Sequence, residues 1–321
     1  MISTRSLTKD FAVGRGQTVH AVRGISLDVE PGELVAVLGP NGAGKTTTMR
    51  MLTTLIPPTS GTATVAGHDV STAAAKVRRS IGYVGQGNGA GHTQLVGDEL
   101  HSQAAIYGLG RREARTRVGQ LLEALDLTEL RDRKVSDLSG GQRRRLDVAM
   151  GLVHGPSLLF LDEPSTGLDP QNRANLWDHI LRMRAEYAMT IMLTTHYLDE
   201  ADSMAERVVV VDNGEVIADD TAEMLKAKLA GDQLVLTASD AAAVGRLIDQ
   251  LPGALDVVVA GDRVEARVSD GPAALPELLR AAHEAGVHVT TAQVHRPTLD
   301  DVFLNLTGRS LRETTTQKDE A

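Results

Sequence analysis

The run Gly39-Pro40-Asn41-Gly42-Ala43-Gly44-Lys45-Thr46-Thr47 follows the pattern GxxxxGK[ST]. Its glycines let the backbone curl so that successive N–H groups point at one phosphate group. A helix starting there adds positive potential at the same spot. Lys45 is then placed to reach the β- and γ-phosphates and the Thr46 hydroxyl to bind Mg²⁺. Gly39, Asn41, Gly42, Gly44 and Thr47 complete the cradle. Such a loop binds ATP or GTP, and it leaves the task served by the nucleotide open.

Further along, Leu158-Leu159-Phe160-Leu161-Asp162-Glu163 is an apolar run ending in two carboxylates. Asp162 fits the acid that holds Mg²⁺ through water in phosphate-loop enzymes. Glu163 is free to polarise the attacking water as a general base. Alone, the pair also describes a solvated strand end; downstream of a phosphate loop, the chemical reading gains. Between the two motifs lies Leu138-Ser139-Gly140-Gly141-Gln142, followed by Arg143-Arg144-Arg145. A serine and two glycines opening a helix make a second anion-ready N-terminus. One chain thus carries two phosphate-binding surfaces, more than one nucleotide needs. A head-to-tail dimer resolves the excess, each serine-glycine turn capping the nucleotide of the partner copy.

These residues need a rigid frame. Residues 1–230 alternate strand-like and helix-like segments, the pattern of an α/β layer fold. Strands are predicted at Glu33–Gly39, Ser80–Val84, Ser157–Asp162, Thr190–Thr194 and Arg207–Asp212. Several are continuous apolar runs, as in strands buried on both faces. Helices are predicted at Gly44–Leu55, Arg111–Leu125, Gln142–Val153 and Pro170–Glu186. Near Gly231 the character changes. Residues 231–307 read β-α-β-β-α-β, with strands Gln233–Thr237, Leu255–Val259, Arg263–Val268 and Val287–Val294. The helices are Asp240–Leu251, opened by an Asp cap, and Ala273–Ala285. Gly261-Asp262 suits a tight hairpin, and a last helix covers Leu299–Leu306. The order is that of a small α+β ferredoxin-like domain. The polar tail 308–321 is expected to be disordered.

The bulk composition narrows the partners. The chain has 321 residues, 42% hydrophobic and 23% charged, an ordinary globular mix. No apolar run approaches the roughly 20 residues that cross a bilayer, so at a membrane another chain supplies the spans. Met1 to Leu7 lacks the layout of a secretory signal, and cysteine is absent; both suit the cytosol. A net charge of -9 and 2% aromatics argue against nucleic acid as a partner.

With these motifs together, the chain resembles an ABC transporter ATPase subunit over residues 1 to about 230. Leu138 to Gln142 (LSGGQ) is that family's signature. The resemblance implies ATP and Mg²⁺ as ligands, and a sheet with a helical subdomain. It implies roles for four further positions. Gln86, after Ile81-Gly82-Tyr83-Val84-Gly85, senses Mg²⁺ and contacts the membrane partner. Asp169, in Ser165-Thr166-Gly167-Leu168-Asp169, crosses the dimer interface. His196, after Thr194-Thr195, contacts the γ-phosphate, and Phe11 stacks on adenine. Two copies would sandwich two ATP molecules, each held by Lys45 and Thr46 of one chain and Ser139 and Gly141 of the other.

The second half resembles the daunorubicin-resistance type, whose subunits pair with separate ABC-2 membrane permeases. The residues carrying this are Leu146-Asp147-Val148-Ala149, Thr194 to Asp202 and Arg296 to Leu304. That type implies an exporter of a drug, antibiotic or lipid-like amphiphile, peripheral on the cytoplasmic side of the membrane. The rivals are an importer ATPase and a non-transport ABC protein acting on ribosomes or DNA. One departure from the family is the glycine-rich run Gly87 to His92, which predicts a segment mobile until docked.

Overall fold

The computed structural model describes residues 1–14, 16–229 and 231–308. The chain opens with β1 (Ile2–Val13), β2 (Gln17–Val29), β3 (Leu34–Leu38), α1 (Lys45–Leu52), β4 (Ser60–Val65) and β5 (His68–Asp69). Next come α2 (Ala74–Ser80), β6 (Ile81–Val84), α3 (Val96–Ile106), α4 (Arg111–Ala124) and α5 (Gly140–Leu152). Then follow β7 (Leu158–Asp162), α6 (Pro170–Tyr187), β8 (Thr190–Thr195), α7 (Leu198–Met204), β9 (Arg207–Asp212) and β10 (Glu215–Asp220).

Six strands form one sheet in the order β10-β9-β3-β8-β7-β6. β3 runs parallel to β8 and β9, and β7 runs parallel to β6 and β8. Every residue of β3, β7 and β8 is buried, the burial on both faces that continuous apolar runs predict. A second, antiparallel sheet, β2-β1-β4-β5, is built from the first third of the chain. The sequence reading did not separate it from the α/β alternation, although Ile25, Leu27 and Val29 carry its period of two and are buried.

The two sheets and α1 share one core. Leu7, Ile25 and Leu27 from the antiparallel sheet meet Val35, Val37, Phe160 and Met192 from the parallel one, with Met49 and Leu52 of α1 among them. Burying each such side chain is worth roughly 1.5–3 kcal/mol. Moving α1 would open that core, so the loop before α1 is held from behind. Helices α3, α4 and α5 pack together as a helical subdomain. α4 buries Ala114, Val118, Leu121 and Leu122, one stripe at helical spacing.

The chain divides into two units, Met1–Ile217 and Ala218 onward. The second holds α8 (Ala222–Leu229), β11 (Asp232–Ala238), α9 (Ala241–Asp249), β12 (Leu255–Ala260), β13 (Arg263–Val268), α10 (Gly271–Glu284), β14 (Val289–His295) and α11 (Leu299–Thr307). The division falls earlier than the change of composition near Gly231 because α8 packs with α11. The antiparallel order β12-β13-β11-β14 is that of the split βαβ motif. Leu234, Leu236, Val264 and Ala266 of the sheet pack with Val244 and Ile248 of α9 and Leu278 of α10. Asp240 caps α9 by accepting from the Ala243 N–H at 2.9 Å. Gly261, at φ +64°, turns the hairpin between the paired Ala260 and Arg263. Of the tail expected to be disordered, residues 309–321 lie outside the described residues.

Candidate active site

The loop leaves β3 at Gly39 and enters α1 through Gly44. Gly44 sits at φ +102°, and a Cβ there would meet the Ala21 carbonyl oxygen at 2.5 Å, so only glycine fits. Lys45 is buried. Its Nζ donates to the carbonyls of Gly39 (2.6 Å) and Pro40 (3.1 Å), folding the side chain back over the loop it follows. Burial pushes the Lys45 pKa down, and the charges of Glu163 and Asp162 oppose that.

The parallel register brings the acidic pair opposite this loop. Leu38 pairs with Thr195 and Asp162 with Thr194, so the carboxyl ends of β3, β7 and β8 lie side by side, and β6 follows beyond β7. Asp162 is fully buried. Its Oδ1 accepts from the hydroxyls of Thr46 (3.0 Å) and Thr194 (2.7 Å), and its Oδ2 from Tyr83 (3.4 Å). Gln86, just past β6, donates from Nε2 to the Thr46 hydroxyl at 3.1 Å. Thr46, Asp162 and Gln86 therefore meet at one point. Hydroxyl, carboxylate and amide are the hard donor groups that suit Mg²⁺.

Glu163 departs from strand geometry at φ +49°, a left-handed backbone costly for this residue type. Its N–H donates to both the carbonyl and the hydroxyl of Thr194, each at 3.1 Å, and these bonds hold the turn. Beyond the turn, Glu163 Oε2 lies 3.4 Å from His196 Nδ1. Hydrogen bonding to His196 holds the Glu163 carboxyl below the ordinary glutamate range, with burial working against it. Glu163 is thus ionised at neutral pH, as a general base must be.

The open cleft beside the loop is lined by Asn41 to Thr47 with Gln86 and Glu163. It continues along Val19, His20, Ala21 and Arg23 of β2 and Asn213 of the β9–β10 turn. Phe11 does not line it. Phe11 is 40% exposed and pairs across the strands with Val19, which does.

The signature turn lies elsewhere. Ser139 caps α5, its Oγ accepting from the Gln142 N–H at 3.3 Å while Gln142 Oε1 accepts from the Ser139 N–H at 3.0 Å. Ser139 and Gly140 are exposed. Gly141 is buried, and a Cβ there would meet Asn172 Oδ1 at 2.5 Å. Asn172 in turn donates to Asp169, the cap of α6, from its backbone N–H (2.9 Å) and its amide (2.5 Å). The tertiary structure thus joins Asp169 to the signature turn and Glu163 to His196. It leaves Ser139 to Gln142 and Asp169 outside the loop cleft of their own chain.

Residues 22–166 match the ABC transporter family, and residues 221–307 match the C-terminal domain of DrrA1-3-like ATP-binding proteins. The daunorubicin resistance ATP-binding protein DrrA3 of Streptomyces coeruleorubidus is 44% identical over 96% of this chain and 97% of its own length. The chain belongs to the ABC transporter family of ATP-binding proteins, in its daunorubicin-resistance branch. The Nod factor export ATP-binding protein I of Burkholderia thailandensis is 37% identical over 91% of this chain and 93% of that protein. Among solved structures, cbiO1 of Clostridium perfringens, part of the ABC transporter complex cbiONQ, superposes with a TM-score of 0.64. It is 28% identical and covers 78% of this chain and 95% of that one.

As an ABC ATPase, the protein uses residues to which the motifs gave no role. Tyr83 and Thr194 hold Asp162, and the β2 edge from Val19 to Arg23 walls the cleft. Tyr83 and Thr194 have a sequence signal in their place near strand ends beside motif residues, whereas Val19 to Arg23 lie inside β2 and have none. The glycine-rich run after Gln86 is pinned at two amides: Gly89 donates to Asp147 (2.9 Å) and Gly91 to Glu99 (2.6 Å). No helix among the described residues is long and apolar enough to cross a membrane.

Proposed function

We propose that this ABC ATPase is the motor of an exporter, peripheral on the cytoplasmic face of a membrane. Two copies sandwich two ATP molecules and drive a drug, antibiotic or lipid-like amphiphile through separate ABC-2 permease subunits. The observation that carries the reading is the convergence of Lys45, Thr46, Gln86, Asp162, Glu163 and His196 at neighbouring strand ends of one sheet. A resistance protein and an export protein among the relatives support export and leave the cargo open.

The roles follow from the groups. The loop amides and Lys45 hold the β- and γ-phosphates. Thr46, Asp162 and Gln86 would hold Mg²⁺, which supplies charge neutralisation between the phosphates. Glu163, ionised and turned out of the strand, takes the proton of the attacking water. His196 and Lys45 stabilise the charge that spreads over the transferred phosphoryl oxygens. Phe11 lies outside the cleft but pairs with Val19 of its wall, and its exposed ring would stack on an adenine that reaches past Val19. The signature turn of the partner copy, Ser139 to Gln142, closes over the phosphates, and Asp169 lies at that junction. Loss of the γ-phosphate removes what bridges the two copies, and the clamp opens. The ferredoxin-like unit serves as a contact to its twin or to the permease.

The test is co-purification of the tagged full chain from membranes, with ATPase activity measured beside Lys45→Ala. Recovery of an integral membrane protein, with activity lost in the variant, is the expected result. A protein that hydrolyses ATP but travels alone or with ribosomes ends the exporter reading and keeps the ATPase.

A further inference from the structure

Arg144 follows the signature turn, and its guanidinium is turned into the protein, only 7% exposed. Its Nε donates to the Pro164 carbonyl at 2.6 Å and one terminal nitrogen to the Gly85 carbonyl at 2.7 Å. The other terminal nitrogen reaches the carbonyls of Asp162 and Glu163, both at 3.4 Å. These are the residue before Gln86 and the run that carries the metal acid and the base. A guanidinium is a rigid planar fork of five donors, able to bridge two backbone segments at fixed spacing. Its neighbours on α5 do different work. Arg143 donates to Val135 and Ser136 carbonyls, and Arg145 to Asn175.

One helical turn on, Asp147 completes the arrangement. Its Oδ2 lies 3.8 Å from Arg144 and compensates a cation held out of water. Its Oδ1 accepts from the Gly89 N–H at 2.9 Å. The segment carrying Gln86 is therefore bracketed, Gly85 held by Arg144 and Gly89 by Asp147. Both anchors sit on the helix that begins at the signature turn.

We propose that Arg144 is a positioning residue for hydrolysis, coupling the seat of α5 to the placement of Gln86 and Glu163. When α5 shifts with its capping turn, the fork carries Gly85 and the Asp162–Pro164 run with it. A signature turn closing on nucleotide thereby brings the water-activating groups into place. The inference rests on the proposed ATPase reading and concerns a residue outside its motifs.

The experiment measures ATP hydrolysis and equilibrium ATP binding of the purified full chain. Arg144→Lys keeps the charge and loses the fork. We expect its kcat to fall about tenfold or more while the ATP dissociation constant stays within about threefold of the parent. Combined with Gln86→Ala, the loss should be smaller than the product of the two single losses, because both act on one arrangement. A parental kcat, a dissociation constant rising in step with the loss of kcat, or single losses that multiply would each overturn the proposal. Asp147→Asn keeps the acceptor for Gly89 and loses the counter-charge. It runs the same cycle where Arg144→Lys does not fold, with multiplying losses again overturning the idea. A parent that hydrolyses no ATP overturns the reading beneath, and an active parent unaffected by Arg144→Lys overturns this one alone.

Discussion

Two helices of the first unit begin on a glycine turn, and they end in opposite states. At the start of α1, buried Lys45 folds over its loop, and Thr46 reaches Asp162 and Gln86 across the sheet. At the start of α5, Ser139 and Gln142 satisfy each other in an exposed capping box. The arginines that follow are occupied by carbonyls and side chains of the same chain. The first turn is set among a carboxylate, a hydroxyl and an amide gathered from across the sheet; the second is exposed, and its capping groups satisfy each other. The difference fits the proposed pairing of two copies. In that proposal each copy would bring the reactive half of one site and the closing half of the other.

The sharpest way to break this comparison is to remove the base. Glu163→Gln should lower hydrolysis roughly a hundred- to ten-thousand-fold. The ATP-bound dimer should then persist on size exclusion, since closure needs no base. Turnover near the parental rate would place the proton elsewhere.

Next in size is the closing half. Ser139→Ala loses a helix cap, about 0.5–2 kcal/mol of stability, and, in the proposed dimer, one donor to the partner's nucleotide. The expected hydrolysis loss is about tenfold, beyond what a modest fall in melting temperature explains. Mixing Ser139→Ala with Lys45→Ala copies should recover activity above either alone. The mixed pair rebuilds one intact site from Lys45 of one chain and Ser139 of the other. Mixtures no better than their parts would argue for two sites complete within single chains.

The smallest effect is on pH. The Glu163 carboxyl is held below the ordinary glutamate range in the folded chain, chiefly by His196. Its stabilisation is therefore present above the unfolded value and is lost as pH falls through the lowered one. Melting followed toward acid should lose less in Glu163→Gln than in the parent. Identical acid profiles would mean that the contact with His196 carries no net stability.

Much of the site was legible in the sequence because its motifs are local. A glycine loop between an apolar run and a helix needs only contiguous residues to be read, and so does an apolar run ending in Asp162-Glu163. The second unit was legible for a related reason. Strand and helix periods, the Asp240 cap and the Gly261 turn are short-range signals that agree with the β-α-β-β-α-β order. The β2-β1-β4-β5 sheet was not, because its two hairpins are joined only by the β1–β4 pairing, which sets Ile2 against Val65 far along the chain. Arg144 was hidden for a stronger reason. In sequence it is one arginine of three in a basic run; buried, it is a fork on four carbonyls from two segments.

The sequence by itself determined which groups are available to bind phosphate and activate water in the proposed mechanism, since those depend on residue type and short spacing. It also determined the element order of the second unit. Only the tertiary structure decided which strand ends lie side by side and that Glu163 turns out toward His196. Only it showed that Ser139 lies apart from the loop of its own chain and that Arg144 faces inward. The physical reason is that burial and backbone hydrogen bonding are settled between segments far apart in the chain, where no local spacing records them.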